Sequence, residues 1–384
     1  MVETLNNKKI YFLLFIVLVV STFILTGDKE YNFCKDGNSP VKLTMVGDLI
    51  IVDSGAVWQQ IVKDNYSLDI VGDYFSIFEE SDFVFANFEG IISEQREARE
   101  KGLPALFSLQ TKPEIVRFLE NFGNITLSFA NNHSADYGQG GINDTLSLLP
   151  KDGVEYIGIG SNKERALAPH IVEKSGVRIA FVALTDLLPE AHYASSANAG
   201  VAQLTAENLG KAIEAAKKSA NFVVVSLHTA EREGTSFSFW PDAHQVLFSR
   251  MAIDDGADLV VGHHPHGLQL SETYRGKSIF YSLGAFLYNP SISKRYPPGH
   301  RLFDATQLKG GGVLDLKICK GYISHFDLFP TKVVSRKENL MVVPSFSPAW
   351  LSAIFPHLSH SALNAREVLS NSLSKIKTLY VKTF

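Results

Sequence analysis

His263, His264 and His266 fill three of four consecutive positions around Pro265, directly behind the apolar stretch "DLVVG", in a chain of 384 residues with 12 histidines in all. Imidazole nitrogens carry protons near neutral pH and bind metal ions readily, and three of them behind a buried run have little structural purpose. Other short apolar runs end in the same way. "VKLTMVGD" ends on Asp48, "DFVFANFE" on Glu89, "NITLSFANNH" on Asn132 and His133, "VRIAFVALTD" on Asp186, and "NFVVVSLH" on His228. Each has an ordinary explanation when taken singly: a turn aspartate, a solvated glutamate, a satisfied core histidine. Together they offer carboxylate, amide oxygen and imidazole, the ligand types that hold Mn, Fe, Zn and similar divalent cations. Asp136 follows His133 at a spacing that suits it to orient the imidazole. No serine or cysteine nucleophile with a matched base stands out, and no glycine-rich phosphate loop or dinucleotide fingerprint is present.

Residues of this kind act together only if the chain brings them to one place. The runs that carry them are short, β-branched or aromatic, and read as buried strands. Helical patterns lie between them at 112–123, 140–153, 205–220 and 242–258. Strands alternating with helices predict an α/β fold, and ligands in such folds gather beyond the carboxyl ends of the strands. After Gly267 the texture changes to strands joined by turns, which predicts a second, more antiparallel sheet. The serine-rich tail over 360–382 has the spacing of a helix, with Val368, Leu369, Leu373 and Ile376 on one face.

The composition is that of a folded protein, 45% hydrophobic and 20% charged, with a formal net charge of −4 and no basic stripe, which excludes a nucleic-acid binder. Lys8 and Lys9 precede a charge-free stretch over 10–26. That stretch is long enough to span a membrane once, and the positive-inside rule places residues 1–9 in the cytoplasm and the remainder outside. A cleaved signal peptide is the rival reading, but no small-x-small site follows cleanly, so an uncleaved anchor is expected. Residues 27–40 then read as a linker, 41–335 as the domain and 336–384 as an extension. Cys34 lacks the small residues expected before a lipidated cysteine. Cys34 and Cys319 are the only cysteines; an export compartment would permit one bridge, and two free thiols fit equally well.

The motifs "MVGD" (45–48), "DFVFANFEG" (82–90), "SFANNHSADYGQGGINDTL" (128–146), "GIGSNKERALAP" (158–169), "SLH" (226–228), "DDGADLVVGHHPHGLQ" (254–269) and "IFYSLGAFLY" (279–288) occur in order. Their order and content resemble the CapA-type capsule-synthesis family, associated with poly-γ-glutamate and similar to the calcineurin-like metallophosphoesterases. The resemblance implies a four-layer α/β/β/α sandwich with one or two divalent ions (Mn, Fe or Zn) at the sheet edge. Asp48, Glu89, Asn132, His228, His264 and His266 would be the metal ligands, with Glu89 in the bridging position. His133 would contact substrate or protonate a leaving group, oriented by Asp136. Asn87, His263, Glu231 and Tyr281 would support the ligands or face substrate, and Pro265 would let His264 and His266 point the same way. The implied chemistry is hydrolysis at phosphorus or carbonyl by a metal-activated water, in assembly of an anionic surface polymer alongside other membrane proteins of capsule synthesis.

Three departures bear on that implication. Ile50 stands where the phosphoesterases usually carry a histidine, so a single-metal site is one outcome. Thr229 and Ala230 replace the family's usual Trp-Gly, with Arg232 in place of a later glutamate, and Ala285 replaces an asparagine. A non-catalytic assembly or export factor on the same scaffold is the alternative expectation, and a polymer-binding module a third.

Overall fold

Both faces of the apolar runs are buried, and their alternate residues divide between two cores. Ile179, Phe181 and Ala183 join one cluster while Ala180, Val182 and Leu184 join another; Phe222 and Val224 separate from Val223 and Val225 in the same way, as Leu259 and Val261 do from Val260. This is the two-residue period of a strand applied to a sheet covered on both sides. In a computed structural model the chain is described over residues 34–35, 37–95, 108–149, 154–231, 240–289, 310–336 and 339–344.

Fourteen strands form two mixed sheets: β1 (Val41–Leu49), β2 (Phe83–Phe88), β3 (Ile125–Ser128), β4 (Val154–Ile157), β5 (His170–Lys174), β6 (Val177–Thr185), β7 (Phe222–His228), β8 (Leu259–His263), β9 (Ser271–Tyr274), β10 (Lys277–Phe280), β11 (Ala285–Leu287), β12 (Gly312–Cys319), β13 (Tyr322–Arg336) and β14 (Asn339–Pro344). The first sheet runs β14-β13-β12-β1-β2-β3-β4, with β11 also paired to β1; the second runs β9-β10-β8-β7-β6-β5. β1 to β4 are mutually parallel, as are β6, β7, β8 and β10. The two sheets share a core in which Phe85 stacks on Phe181 at 5.4 Å. The far side of the second sheet carries helices α1 (Ala206–Ser219) and α2 (Ala243–Asp255) through Leu209, Ile213, Ala252 and Ile253. Asp242 and Gln245 close a reciprocal capping box at the start of α2, which fixes where that helix begins.

The separate antiparallel sheet expected after Gly267 does not form. β9 and β10 extend the second sheet, whereas β11 to β14 extend the first, because β12 runs antiparallel to β1 and takes its free edge. The first sheet also continues past residue 335: β14 pairs with β13, and the Leu340 amide donates to Gln60 Oε1 at 3.0 Å. The expected membrane anchor (10–26) and tail helix (360–382) lie outside the described residues. Among the described residues no helix is long and apolar enough to cross a membrane.

Cys34 and Cys319 form a disulfide with both side chains buried, so the middle of the expected linker is stapled to the last residue of β12. The two cysteines are 285 positions apart. A cross-link closing so long a loop restricts the unfolded chain strongly, and losing it costs about 2–5 kcal/mol. Adding reductant is therefore expected to lower the urea midpoint of the unaltered protein, whereas Cys319→Ser starts at the lower midpoint and does not respond to reductant.

Candidate metal centre

β1 and β8 each deliver a site residue immediately behind a glycine, and the chain needs glycine at both. A Cβ on Gly47 would sit 1.9 Å from the Gly284 carbonyl oxygen, and one on Gly262 would sit 2.0 Å from that of Tyr281. The segment 281–285 passes from β10 in the second sheet to β11 in the first, running against both strand ends. The Asp48 amide donates to Gly284 at 2.8 Å, and the Leu283 amide to Gly262 at 3.1 Å. That backbone contact fixes where the carboxylate of one sheet stands against the imidazoles of the other.

Asp48 and Glu89 are completely buried. His266 Nδ1 lies 2.9 Å from Asp48 Oδ2 and 3.3 Å from Glu89 Oε2. One ligand atom from each of the three residues falls within 4.8 Å of the others. A second group adjoins it: His228 Nε2 lies 2.8 Å from Asn132 Oδ1 and 3.3 Å from His264 Nδ1. Glu89 stands between the two groups, with Oε1 4.0 Å from His228 Nε2 and 3.7 Å from His133 Nε2. His264 and His266 thus point into neighbouring groups rather than the same one. Both have left-handed backbone, φ 96° and 51°, a conformation that costs a non-glycine residue about 1–3 kcal/mol and collects at functional sites.

The electrostatics suit a cation. Burial opposes charge on Asp48, yet hydrogen bonds from His263 and His266 outweigh it and hold the carboxyl well below its ordinary range. Burial, followed by the neighbouring His264, keeps the His228 imidazole well below its ordinary range. Burial and then His266 push His264 down to about 3. At neutral pH both rings are uncharged and can ligate, while the Asp48 carboxylate supplies negative charge that a buried cation would neutralise.

The supporting residues are placed in different ways. Asn87 donates to Asp48 Oδ1 at 2.9 Å and lies 3.2 Å from His228 Nδ1. His263 Nδ1 lies 3.1 Å from Asp48 Oδ1, so His263 braces that carboxylate. His133 is half-buried and its Nδ1 meets Asp136 Oδ2 at 2.7 Å; Asp136 also accepts from the Leu109 amide at 2.8 Å. Asn131, which the sequence offers only as a neighbour of Asn132, locks the loop. It donates to the Phe88 carbonyl at 2.8 Å and accepts from the His133 amide and the Ser134 hydroxyl, both at 3.0 Å. The doubled asparagine of "ANNH" was its signal.

Tyr281 and Glu231 are not brought to the ligands. The Tyr281 hydroxyl donates to Glu272, and its ring packs among the residues under α1 and α2, because Phe280 takes the inter-sheet face and the next residue must take the other. Glu231 is exposed beside Asp186 and His244, and its amide donates to Asp242 Oδ2 at 2.9 Å. Asp186 ends β6 but is bound to His244 and Thr229. Ile50 is buried in the inter-sheet core and contributes no ligand atom.

A buried carboxylate and imidazole cluster, set where the parallel strands of two stacked α/β sheets end, is an arrangement that could hold a metal ion. The family described as "Bacterial capsule synthesis protein PGA_cap" matches residues 42–290, from β1 to just past β11, and the chain belongs to that family. It is 32% identical over 288 residues to the PGA biosynthesis protein CapA of Bacillus subtilis (strain 168), covering 74% of this chain and 73% of that protein. It is 29% identical over 282 residues to the capsule biosynthesis protein CapA of Bacillus anthracis, covering 72% and 67%. Among solved structures, a hypothetical protein from Thermus thermophilus aligns at 16% identity with a TM-score of 0.44, over 79% of this chain and 100% of that one.

Proposed function

We propose that the chain is a metal-dependent hydrolase of capsule or surface-polymer synthesis, acting outside the cytoplasm on an anionic polymer of the poly-γ-glutamate type or its precursor. The observation that carries the reading is the buried Asp48–Glu89–His266 group with the His133–Asp136 pair beside it. A divalent cation bound there would polarise the scissile group and acidify a water molecule. His133 is held at Nδ1 by Asp136, which leaves Nε2 to hold or deliver a proton at the leaving group. Asn132, His228 and His264 would complete a second cation position across Glu89, so the absence of a histidine at position 50 does not by itself reduce the centre to one ion.

Export is supported by the charge-free stretch behind Lys8 and Lys9 and by the buried disulfide, since such bonds persist in oxidising compartments. Single-pass anchoring and partnership with other membrane proteins of capsule synthesis belong to the same proposal. The competing reading is a non-catalytic assembly factor, favoured by the apolar, core-bound Ile50. Elemental analysis of the purified protein, with hydrolysis assays on a γ-glutamyl polymer and on a phosphodiester, separates them. His133→Ala is expected to retain its metal and lose about 10²–10⁴-fold in rate, the usual contribution of a positioned acid or base. An unaltered protein that binds metal but hydrolyses neither substrate would support the assembly factor.

A further inference from the structure

A second histidine–carboxylate pair lies beside the metal centre. His244, near the start of α2, places Nε2 against Asp186 Oδ2 at 2.5 Å, while Thr229 donates its hydroxyl to Asp186 Oδ1 at 2.7 Å. Both carboxylate oxygens of Asp186 are thereby engaged, and the imidazole is fixed through one nitrogen. Nδ1 of His244 has no hydrogen-bond partner among the described residues. The pair borders a cavity of about 380 Å³ whose other walls include Leu187, Leu188, Pro189, Ala230 and Glu231.

Two of the residues around this cavity and its histidine–carboxylate pair follow the candidate ligand His228 directly in the chain. Thr229 and Ala230 follow His228 in the chain, and Thr185, the residue before Asp186, donates its hydroxyl to the His228 carbonyl at 2.7 Å. A group bound in the cavity would therefore lie against the segment that immediately follows His228.

We infer that the His244–Asp186 cavity is a substrate subsite that takes a primary amino group with an aliphatic stem. In the tautomer that commits Nε2–H to the carboxylate, Nδ1 accepts a hydrogen bond from an N–H donor. Among the described lining residues, the charged side chains besides His244 are Asp186 and Glu231, both acidic, which favours an ammonium group. The leucine, proline and alanine walls suit the methylenes beside that amine. As the subsite of a γ-glutamyl substrate, the inference rests on the proposed function; as an amine site, it stands on this cavity alone.

Histidine-ring NMR on the purified protein at pH 7, with metal content measured in parallel, tests both levels. The probes are tri-γ-glutamate with a free amino terminus, its N-acetylated form, and 1-aminobutane. The free-amine oligomer is expected to bind at least tenfold more tightly than the acetylated one and, like 1-aminobutane, to shift the His244 ring signals. His244→Gln and Thr229→Val should reduce that preference below twofold with metal content unchanged. A shift with 1-aminobutane but not with either oligomer would support the amine site and count against the polymer substrate. Equal binding of the two oligomers, a preference that survives His244→Gln, or no His244 shift with any amine would overturn the inference. Absence of metal from the unaltered protein would instead overturn the proposed hydrolase and leave the amine result standing.

Discussion

Asp48→Ala is expected to abolish divalent-metal retention and, with it, any hydrolytic activity, while the protein still folds. Asp48 is one of two fully buried carboxylates in the cluster, and it receives His263, His266 and Asn87 at 3.1, 2.9 and 2.9 Å. Its removal takes away a ligand and leaves Glu89 as the sole buried carboxylate of the Asp48–Glu89–His266 group. Loss of an outer-shell partner alone costs roughly 10–100-fold in metal affinity, and loss of a ligand should exceed that. Asp48→Asn separates charge from shape, because it keeps an acceptor oxygen toward the imidazoles but carries no charge. Metal loss of similar size in Asp48→Asn would show that the carboxylate charge, rather than cavity shape, holds the ion. Asp186→Asn is the internal control: it ends a neighbouring strand but is bound to His244 and Thr229, so its metal content should equal that of the unaltered protein. Elemental analysis after dialysis against a weak chelator reads all three. Full metal retention by Asp48→Ala would remove this cluster as the binding site.

Why the carboxylate could be picked out beforehand, and Tyr281 could not be placed, has one physical explanation. A strand that is buried on both faces is a largely apolar run, so polar residues at its close stand out, and Asp48, Glu89, Asn132, His228 and the histidine triplet all stand at such a close. The convergence of those ends follows from parallel pairing within each sheet. How the ligands divide into an Asp48–Glu89–His266 group and an Asn132–His228–His264 group depends on distances across two sheets, which no one-dimensional pattern carries. Tyr281 follows a strand whose inward residue is Phe280; alternation sends the tyrosine outward to Glu272, and only the identity of the inward face, unknown from sequence, decides that. The strands after Gly267 were legible as strands, but their membership was not: edge choice depends on which strand of which sheet lies unpaired, and β1 offered such an edge to β12. The cysteines left pairing open for a similar reason, since Cys34 and Cys319 meet only once β12 lies beside β1. His244 escaped notice because it sits inside a helix pattern, where a lone histidine carries no signal until Asp186 is brought against it.

Gly47→Ala should be among the most damaging single substitutions in the domain, although it adds one methyl group outside any ligand. Its Cβ would fall 1.9 Å from the Gly284 oxygen and 2.8 Å from that of Leu283, both backbone atoms that cannot turn aside as a flexible side chain would. Relief requires β1 to part from the 281–285 segment, which also carries the hydrogen bond from the Asp48 amide to Gly284. Overpacking a close-packed core typically costs 1–3 kcal/mol, and a backbone clash belongs at or above the top of that range. A loss of about 3 kcal/mol in a domain of this size corresponds to a fall in Tm of about 6–12 °C. The same displacement moves Asp48 relative to His263 and His266, so metal content should fall along with stability. Gly123→Ala supplies the contrast. Gly123 has φ 74° and ψ −128° but nothing within 4 Å of where a Cβ would stand, so the methyl group there costs only the strain of a backbone conformation that favours glycine, about 1–3 kcal/mol, and leaves the metal in place. Thermal denaturation with metal analysis on both variants distinguishes a close strand crossing from ordinary loss of a flexible residue. If Gly47→Ala melts within 2 °C of Gly123→Ala and keeps its metal, on the order of the difference that 1 kcal/mol makes, the crossing of β1 and the 281–285 segment is not what positions Asp48.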